Sequence, residues 1–414
     1  MSEEKRTPTQ ATIENTSIAD VYRAAKQLHN VVRKTALIPS PYFSQISQNE
    51  VYIKPENLQN TGSFKLRGAY NKISQLTAEE KNRGVITASA GNHAQGVAFA
   101  AQHLGVKAVI TMPATTPILK VEATRAYGAE VVLFGDSYDD AYAKCLELQK
   151  QHGYVLVHPF DDVEVLLGQG TTALEIIDEL KDVDVILVPI GGGGFAAGVA
   201  LASKAVNPNI KVIGVEPENA ACMKNSLAKG KVSTLRQADT VADGTAVKTP
   251  GKLTFEFVKK YVDDVITVSE LEIMSALLSL IEKHKLIAEG AGVLSLAALS
   301  KLSFKNKKVV AIVSGGNIDI STIAALIDKA LIARGRVFCF AVQLPDKPGQ
   351  LLKVAQILAD ENANVIKLDH NQAKVTDSFK KVQLEVTVET HGAEHVQSIA
   401  AALEKNGFVV TKIY

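Results

Sequence analysis

Cysteine is scarce, and the three present, Cys145, Cys222 and Cys339, lie far apart. Their spacing offers neither a metal-ligand set nor a disulfide framework, which fits a reducing cytosol where they serve as small buried apolar residues. An excess of either charge is also missing: 45 Lys and Arg stand against 44 Asp and Glu, with no long run of one sign. That balance excludes the basic footprint of a nucleic-acid or anionic-membrane binder and points to small-molecule partners. No apolar run reaches bilayer-spanning length, and Met1 to Glu14 is polar and mixed in charge, without an apolar signal core. The chain reads as soluble and cytoplasmic, with a loose tail over residues 1–16. At 414 residues it is long enough for two or three domains with sizeable cores.

What is present centres on Thr61-Gly62-Ser63-Phe64-Lys65-Leu66-Arg67-Gly68-Ala69. Val51 to Lys54 before it reads as a strand, and Leu66 to Ile73 after it carries apolar residues at helical spacing. Lys65 then sits at a helix start, where unpaired N–H groups disfavour an ammonium and push the amine toward its neutral, nucleophilic form. Such an amine suits covalent chemistry with a carbonyl cofactor. A solvated surface lysine is the ordinary case, so Lys65 is judged by its company.

Around it, strand and helix patterns alternate. Val85 to Ala88, Ala108 to Thr111, Glu130 to Phe134, Val183 to Ile190, Val212 to Val215 and Val309 to Val313 read as strands. Helices are expected from His93, near Pro117 to Tyr127, and over Phe195–Val206, Leu271–His284, Ala291–Leu302 and Ile320–Ala333, after a first packing helix that begins at a capping box, Ser17 to Asp20. This is an α/β chain built on open parallel sheets covered by helices. The pattern changes at Arg334-Gly335-Arg336. From Val337 onward it reads β-α-β-β-α-β, a ferredoxin-like α+β domain over 335–414, leaving 17–334 for the main domain.

Three glycine-rich turns follow strands, where ligands of doubly wound sheets bind. In Ser89-Ala90-Gly91-Asn92-His93-Ala94-Gln95-Gly96, small residues let backbone N–H groups approach a carboxylate, and Asn92 can donate to a hydroxyl. In Gly191-Gly192-Gly193-Gly194-Phe195, four glycines opening a helix form a phosphate cradle. The same turn, as Gly192-x-Gly194-x-x-Ala197 with Glu216 ending the next strand, also matches a loose dinucleotide fingerprint, so an NAD-binding oxidoreductase competes. In Ser314-Gly315-Gly316-Asn317, the Ser314 hydroxyl can face a pyridine nitrogen, although for Ser314 alone a plain Ser-Gly turn is the favoured reading.

Taken in order, Ser63 to Ala69, Ser89 to Gly96, Gly191 to Phe195 and Ser314 to Asn317 resemble the motifs of the threonine dehydratases, within fold-type II of the pyridoxal-phosphate enzymes. The resemblance covers about Ser17 to Tyr414. It implies two tryptophan-synthase-β-like subdomains and pyridoxal 5'-phosphate as cofactor. Lys65 would bond the cofactor, Phe64 pack beside its ring, Asn92 hold its phenolic oxygen, Gly191, Gly192, Gly193 and Gly194 its phosphate, and Ser314 face its pyridine nitrogen. Ser89, Ala90, Gly91, Asn92 and His93 would take the substrate carboxylate. Glu289 matches a family acid near the cofactor, with a helix N-cap as its plain alternative. The implied reaction is dehydration and deamination of L-threonine to 2-oxobutanoate and ammonia, with Lys65 removing the α-proton and L-serine as secondary substrate. Serine racemases of this fold carry a serine where this chain has Ala90, and a cation-binding aspartate near where it has Glu218 to Cys222. Racemisation and a bound metal are therefore not expected. Serine dehydration or another β-elimination stays open, as does a non-catalytic sensor, against which Lys65, Asn92 and Ser314 speak.

Gln343 to Leu351 resembles the ligand turn of ACT-like regulatory domains. The resemblance implies a single C-terminal regulatory domain, isoleucine as inhibitor with valine opposing it, a role toward isoleucine, and a homo-oligomer, a tetramer by family likeness.

Overall fold

Val185–Pro189 is buried at every position, as a strand covered on both faces must be. It lies at the centre of the first sheet of the computed structural model, which describes residues 8–371 and 380–414. The chain opens that sheet with β1 (Ile38–Pro39) and β2 (Glu50–Pro55), then leaves it for a four-stranded parallel sheet: β3 (Val85–Ala88), β4 (Ala108–Met112), β5 (Glu130–Leu133) and β6 (Val155–Leu156), in the order β5-β4-β3-β6. It returns with β7 (Val185–Pro189), β8 (Lys211–Pro217), β9 (Asp264–Val268) and β10 (Lys308–Val313), giving the order β1-β2-β10-β7-β8-β9, parallel except for β1.

The register explains the convergence of distant segments. β2 pairs with β10 from Glu50 opposite Lys308 to Pro55 opposite Val313, so the chain leaving β2 runs beside the Ser314 turn. Ser63 then bridges Gly315.

The described chain divides into two compact units, the first ending at Ile318 and the second running Asp319–Tyr414. The sequence pattern changes at Arg334 to Arg336, whereas this division comes earlier, ahead of the helix Ile320–Ala333. In the second unit β11 (Val337–Pro345), β12 (Asn364–Asn371), β13 (Lys381–Glu389) and β14 (Val410–Lys412) form an antiparallel sheet in the order β12-β13-β11-β14. Helices Gln350–Asp360 and Ala393–Lys405 pack on it through Val354, Leu358, Ile399 and Leu403.

Most element bounds match the periodicity within a few residues, but one expected helix is broken. Ala291–Leu302 is split into short turns, Ala291–Val293, Leu294–Ala297 and Ala298–Lys301. Tertiary contacts win over helical regularity there: a Cβ on Gly292 would lie 2.2 Å from the Gly315 carbonyl oxygen, and Ser295 Oγ donates to Leu187 O at 3.0 Å. Among the helices that escape the sequence reading, the longest are Tyr138–His152, Val163–Glu179 and Lys252–Tyr261; Pro41–Ser47, Ala78–Arg83 and Cys222–Ala228 escape it too. The first part of the stretch read as a tail, residues 1–7, lies outside the described residues; Pro8–Asn15 is helical, with Ile13 buried. No helix among the described residues is long and apolar enough to cross a membrane.

Candidate active site

Three helices begin at the carboxyl ends of the two parallel sheets. Lys65 is the first residue of Lys65–Ser74. Asn92–Leu104 follows β3, and Gly194–Val206 follows β7. The last two have no side-chain cap, so the N–H groups of their first turns stay available to an anion. Nothing lies within 4 Å of a Cβ built on Gly91, so the Ser89 to His93 turn faces open space. Gly193 sits at φ 98°, a left-handed conformation that glycine adopts without strain. Gly192 and Gly194 admit no side chain, because built Cβ atoms would lie 2.2 Å from the Phe160 ring and 2.7 Å from its carbonyl oxygen. The geometry therefore brings the lysine and both expected anion turns to one place.

Lys65 Nζ donates to Pro159 O at 2.8 Å and lies 5.4 Å from the Phe64 ring centroid, which is stacked on Phe195 at 3.8 Å. Desolvation lowers its pKa to about 8, against the opposing pull of Glu289. Glu289 in turn is pushed up to about 7 by burial, its hydrogen bond from Asn92 Nδ2 (2.6 Å) working the other way. Asn317 Nδ2 donates to Asn92 Oδ1 at 2.8 Å and to Thr61 O at 2.7 Å, which fixes the orientation of the Asn92 amide. A Cβ on Gly315 would lie 2.4 Å from Glu289 Oε1, so the Ser314 turn closes directly on this pair. Ser314 Oγ, buried, makes one long hydrogen bond, to Ala291 O at 3.4 Å. His93 Nε2 meets Val157 O at 2.9 Å, its Nδ1 is buried without a protein partner, and burial pushes its pKa down to about 3. The imidazole is neutral.

Glu216 does not do what the dinucleotide reading requires. Its carboxylate oxygens accept the backbone N–H groups of Met223 and Lys224, both at 2.8 Å, and the side chain is fully buried. It therefore ties the start of Cys222–Ala228 to β8 and has no free edge for a ribose. Among the described residues no group of three or more His, Cys, Asp or Glu is placed to hold a metal ion.

The sequence reading singled out the lysine and the turns but missed what holds them. Arg67, fully buried two residues after Lys65, donates Nε and Nη2 to Glu56 (2.8 and 2.9 Å), Nη1 and Nη2 to Glu175 (2.7 and 2.9 Å), and Nη1 to Thr171 Oγ1 (3.1 Å). Lys54 Nζ completes the cluster at 2.6 Å from Glu175 and Thr35 O. Burial works against the guanidinium charge, and Glu56 and Glu175 overcome it, raising the Arg67 pKa. Beside this cluster the Lys65 helix crosses Val163–Glu179 in backbone contact: a Cβ on Gly168 would lie 2.5 Å from Arg67 O. A charged pair inside an apolar-periodic segment was the available signal for Arg67. No local signal marks Gly168.

Comparison with known proteins gives the family. The family model described as pyridoxal-phosphate dependent enzyme matches residues 28–315, and that of the ACT domain matches residues 340–408. The L-threonine ammonia-lyase of Thermotoga maritima is 48% identical over 397 residues, covering 95% of this chain and 98% of that protein. The catabolic L-threonine dehydratase of Escherichia coli K12 is 47% identical over 314 residues, 75% of this chain and 95% of that one. Among solved structures, threonine deaminase isoform 2 of Solanum lycopersicum superposes with a TM-score of 0.73 at 41% identity, covering 76% of this chain and 87% of that chain. Serine racemase of Dictyostelium discoideum gives 0.70 at 38% identity, covering 74% and 99%. The chain belongs to the pyridoxal-phosphate-dependent enzyme family, in the group of L-threonine ammonia-lyases that carry a C-terminal ACT domain.

Proposed function

We propose that this chain eliminates water from L-threonine and releases an enamine that takes up water and loses ammonia, giving 2-oxobutanoate, with Lys65 as its cofactor-bonding and proton-transferring residue. The observation that carries the reading is a lysine of lowered pKa, held by one acceptor, between two uncapped helix starts. Pyridoxal 5'-phosphate, when bound, supplies an electron sink for the substrate α-carbon through a covalent bond to its amine. The residues fit such a group. The Gly191 to Gly194 cradle, closed to a side chain at Gly192, Gly193 and Gly194, suits its phosphate, Asn92 its phenolic oxygen, Phe64 its ring face and Ser314 its pyridine nitrogen. Serine is neither acid nor cation, which favours an unprotonated, restrained ring and hence elimination.

The protein's own part is orientation and proton handling. In the Ser89 to His93 turn, where the N–H groups of Ser89 and Gly91 are bonded to Thr111 O and Ser89 Oγ, those of Ala90, Asn92 and His93 would hold the substrate carboxylate. That leaves the α-hydrogen to Lys65, whose neutral form is accessible near pH 8. Ala90 offers no hydroxyl for a second base on the opposite face, which argues against racemisation. L-serine is a secondary substrate, because a methyl in a pocket adds only ~1 to 3 kcal/mol of discrimination. The expected result is a visible absorbance band lost on borohydride, an adduct on Lys65, and oxoacid release faster from L-threonine than from L-serine. Lys65→Ala should lose both adduct and turnover, by on the order of 10²- to 10⁴-fold for the lost proton transfer alone. An active Lys65→Ala variant sinks the assignment, and faster serine turnover promotes the serine dehydratase reading.

For the second unit we propose feedback control. Isoleucine, bound near the Gln343 to Leu351 turn, inhibits, valine opposes it, and the enzyme works as a cytoplasmic homotetramer on the route to isoleucine. The support is the ACT match over 340–408. Removing Val337–Tyr414 should leave turnover and abolish the isoleucine response; a truncated enzyme still inhibited would contradict it.

A further inference from the structure

Six residues, Val157 to Asp162, carry the chain out of the small sheet after β6 and into the helix Val163–Glu179. Nearly every one of them grips a different part of the site. Val157 O meets His93 Nε2 at 2.9 Å, and Pro159 O accepts from Lys65 Nζ at 2.8 Å. The Phe160 ring fills the space against Gly192. Asp161 accepts from the backbone N–H groups of Lys252, Leu253 and Thr254 at 2.9 to 3.1 Å, and Thr254 Oγ1 donates to Gly192 O at 2.6 Å. Asp162 caps Val163–Glu179 and pairs with Lys72 of the Lys65 helix at 2.7 Å.

One side chain bends this segment. His158 Nδ1 accepts from the backbone N–H groups of Phe160, at 3.3 Å, and Asp161, at 2.8 Å, closing a turn around Pro159. An imidazole nitrogen that accepts two N–H bonds carries no proton, so the ring is the neutral Nε2–H tautomer. Burial holds it in that form, lowering its pKa against the pull of Asp161 and Asp162. Its ring stands edge-on to Phe160 at 4.7 Å.

We propose that His158 is a positioning residue for Lys65: its Nδ1 closes the turn that aims the Pro159 carbonyl at the lysine amine, holding Nζ in place whenever the amine is free. The proposal rests on the reading of Lys65 given above. It adds a residue that acts through backbone geometry. Pro159 O is the lysine's acceptor, and it shares a planar peptide group with the Phe160 N–H, so its direction is set where that N–H and the N–H of the next peptide unit, Asp161, both end on His158. A turn loosened by an ångström takes the amine out of line, which costs on the order of 10²-fold in a reaction of this kind.

The two imidazole nitrogens can be separated by substitution. Asparagine places its Oδ1 near the position of Nδ1, and glutamine places its polar end near Nε2. Cofactor-free His158→Asn, His158→Gln and His158→Leu proteins would be mixed with pyridoxal phosphate, and the rate of covalent capture followed by absorbance before turnover of L-threonine is measured. Capture and kcat should fall by roughly tenfold or more in the Gln and Leu variants, with KM for L-threonine within about twofold, while the Asn variant stays within about threefold of the parent. Retention in Gln with loss in Asn would mean that Nε2 touches the ligand directly, and would overturn the proposal. So would equal loss in Asn and Gln, or a Leu variant equal to the parent. Should the Leu variant fail to fold, the Asn and Gln pair still decides. Peptide mapping of the borohydride-reduced parent keeps the premise separate: an adduct on another lysine would defeat the reading of Lys65, and this proposal with it.

Discussion

Two charge clusters lie within a few residues of each other on the Lys65–Ser74 helix, and they are built on opposite terms. In the Arg67 cluster all five guanidinium N–H groups are bonded, each carboxylate oxygen of Glu56 and Glu175 accepts at least once, and two cations face two anions. In the Lys65 cluster the lysine has one acceptor, Glu289 one donor, and Ser63 Oγ and His93 Nδ1 are buried with no protein partner. A saturated buried network fixes structure, because moving any member strands another. An unsaturated one keeps donors, acceptors and pKa values free to act on a ligand, at a cost in stability carried by its surroundings.

The largest expected effect tests that contrast directly. Arg67→Met keeps most of the volume but leaves Glu56 and Glu175 without their shared cation, and should destabilise by roughly 3 to 5 kcal/mol in denaturant unfolding. Lys65→Met removes a charge that burial disfavours, and should leave stability unchanged within about 1 kcal/mol or raise it. Equal losses in the two variants would erase the distinction between the clusters.

The same contrast predicts how Lys65 and Lys54 meet a reagent. In the cofactor-free protein, amine acylation of Lys65 should rise with pH about a midpoint near 8, where burial has placed its pKa, instead of the 10.5 of a free lysine. Above that midpoint the neutral amine reacts, and below it the ammonium does not. Lys54, fully buried and tied to Glu175 and Thr35 O, should stay unlabelled while the fold is intact. Mass spectrometry across a pH series reads both sites; labelling of Lys54 ahead of Lys65 would show that saturation does not protect.

How much of this was legible in the sequence divides along the same line. The turns were visible because glycine and serine after an apolar run leave a local mark, and β11 to β14 were visible because short apolar runs set between helical patterns are local as well. The Ser63–Gly315 bridge, the Asn92–Glu289 bond and the approach of Gly168 to Arg67 each join segments more than 90 residues apart, and only the folded packing of strands and helices creates them. Val163–Glu179 escaped because its long apolar and small-residue stretch has no polar face to set a period, being buried from Val165 to Ala173. Glu216 shows the opposite error. Its position matched a ribose-binding acid, yet a carboxylate at a strand end facing a helix start is equally a cap, and the N–H groups of Met223 and Lys224 take it.

The smallest effect concerns Glu289, where the unsaturated cluster sets its own pH dependence. Burial raises this carboxyl from 4.5 to about 7, so the folded protein holds a proton there that the unfolded chain has released. Folding is then favoured at low pH by this group, and the advantage is lost as pH rises from about 4.5 to about 7 and is gone above it. Glu289→Gln keeps an acceptor for Asn92 but cannot ionise. It should match the parent near pH 4.5 and exceed it at pH 8 by up to roughly 2 kcal/mol, a half-buried carboxylate being partly screened by solvent. Since every other titrating group is common to both proteins, the difference between their stability curves isolates this one carboxyl. Parallel curves would place Glu289 with the saturated residues, as a capping acid whose charge is already met; diverging curves would leave the Asn92–Glu289 pair as a proton store beside Lys65, maintained against stability.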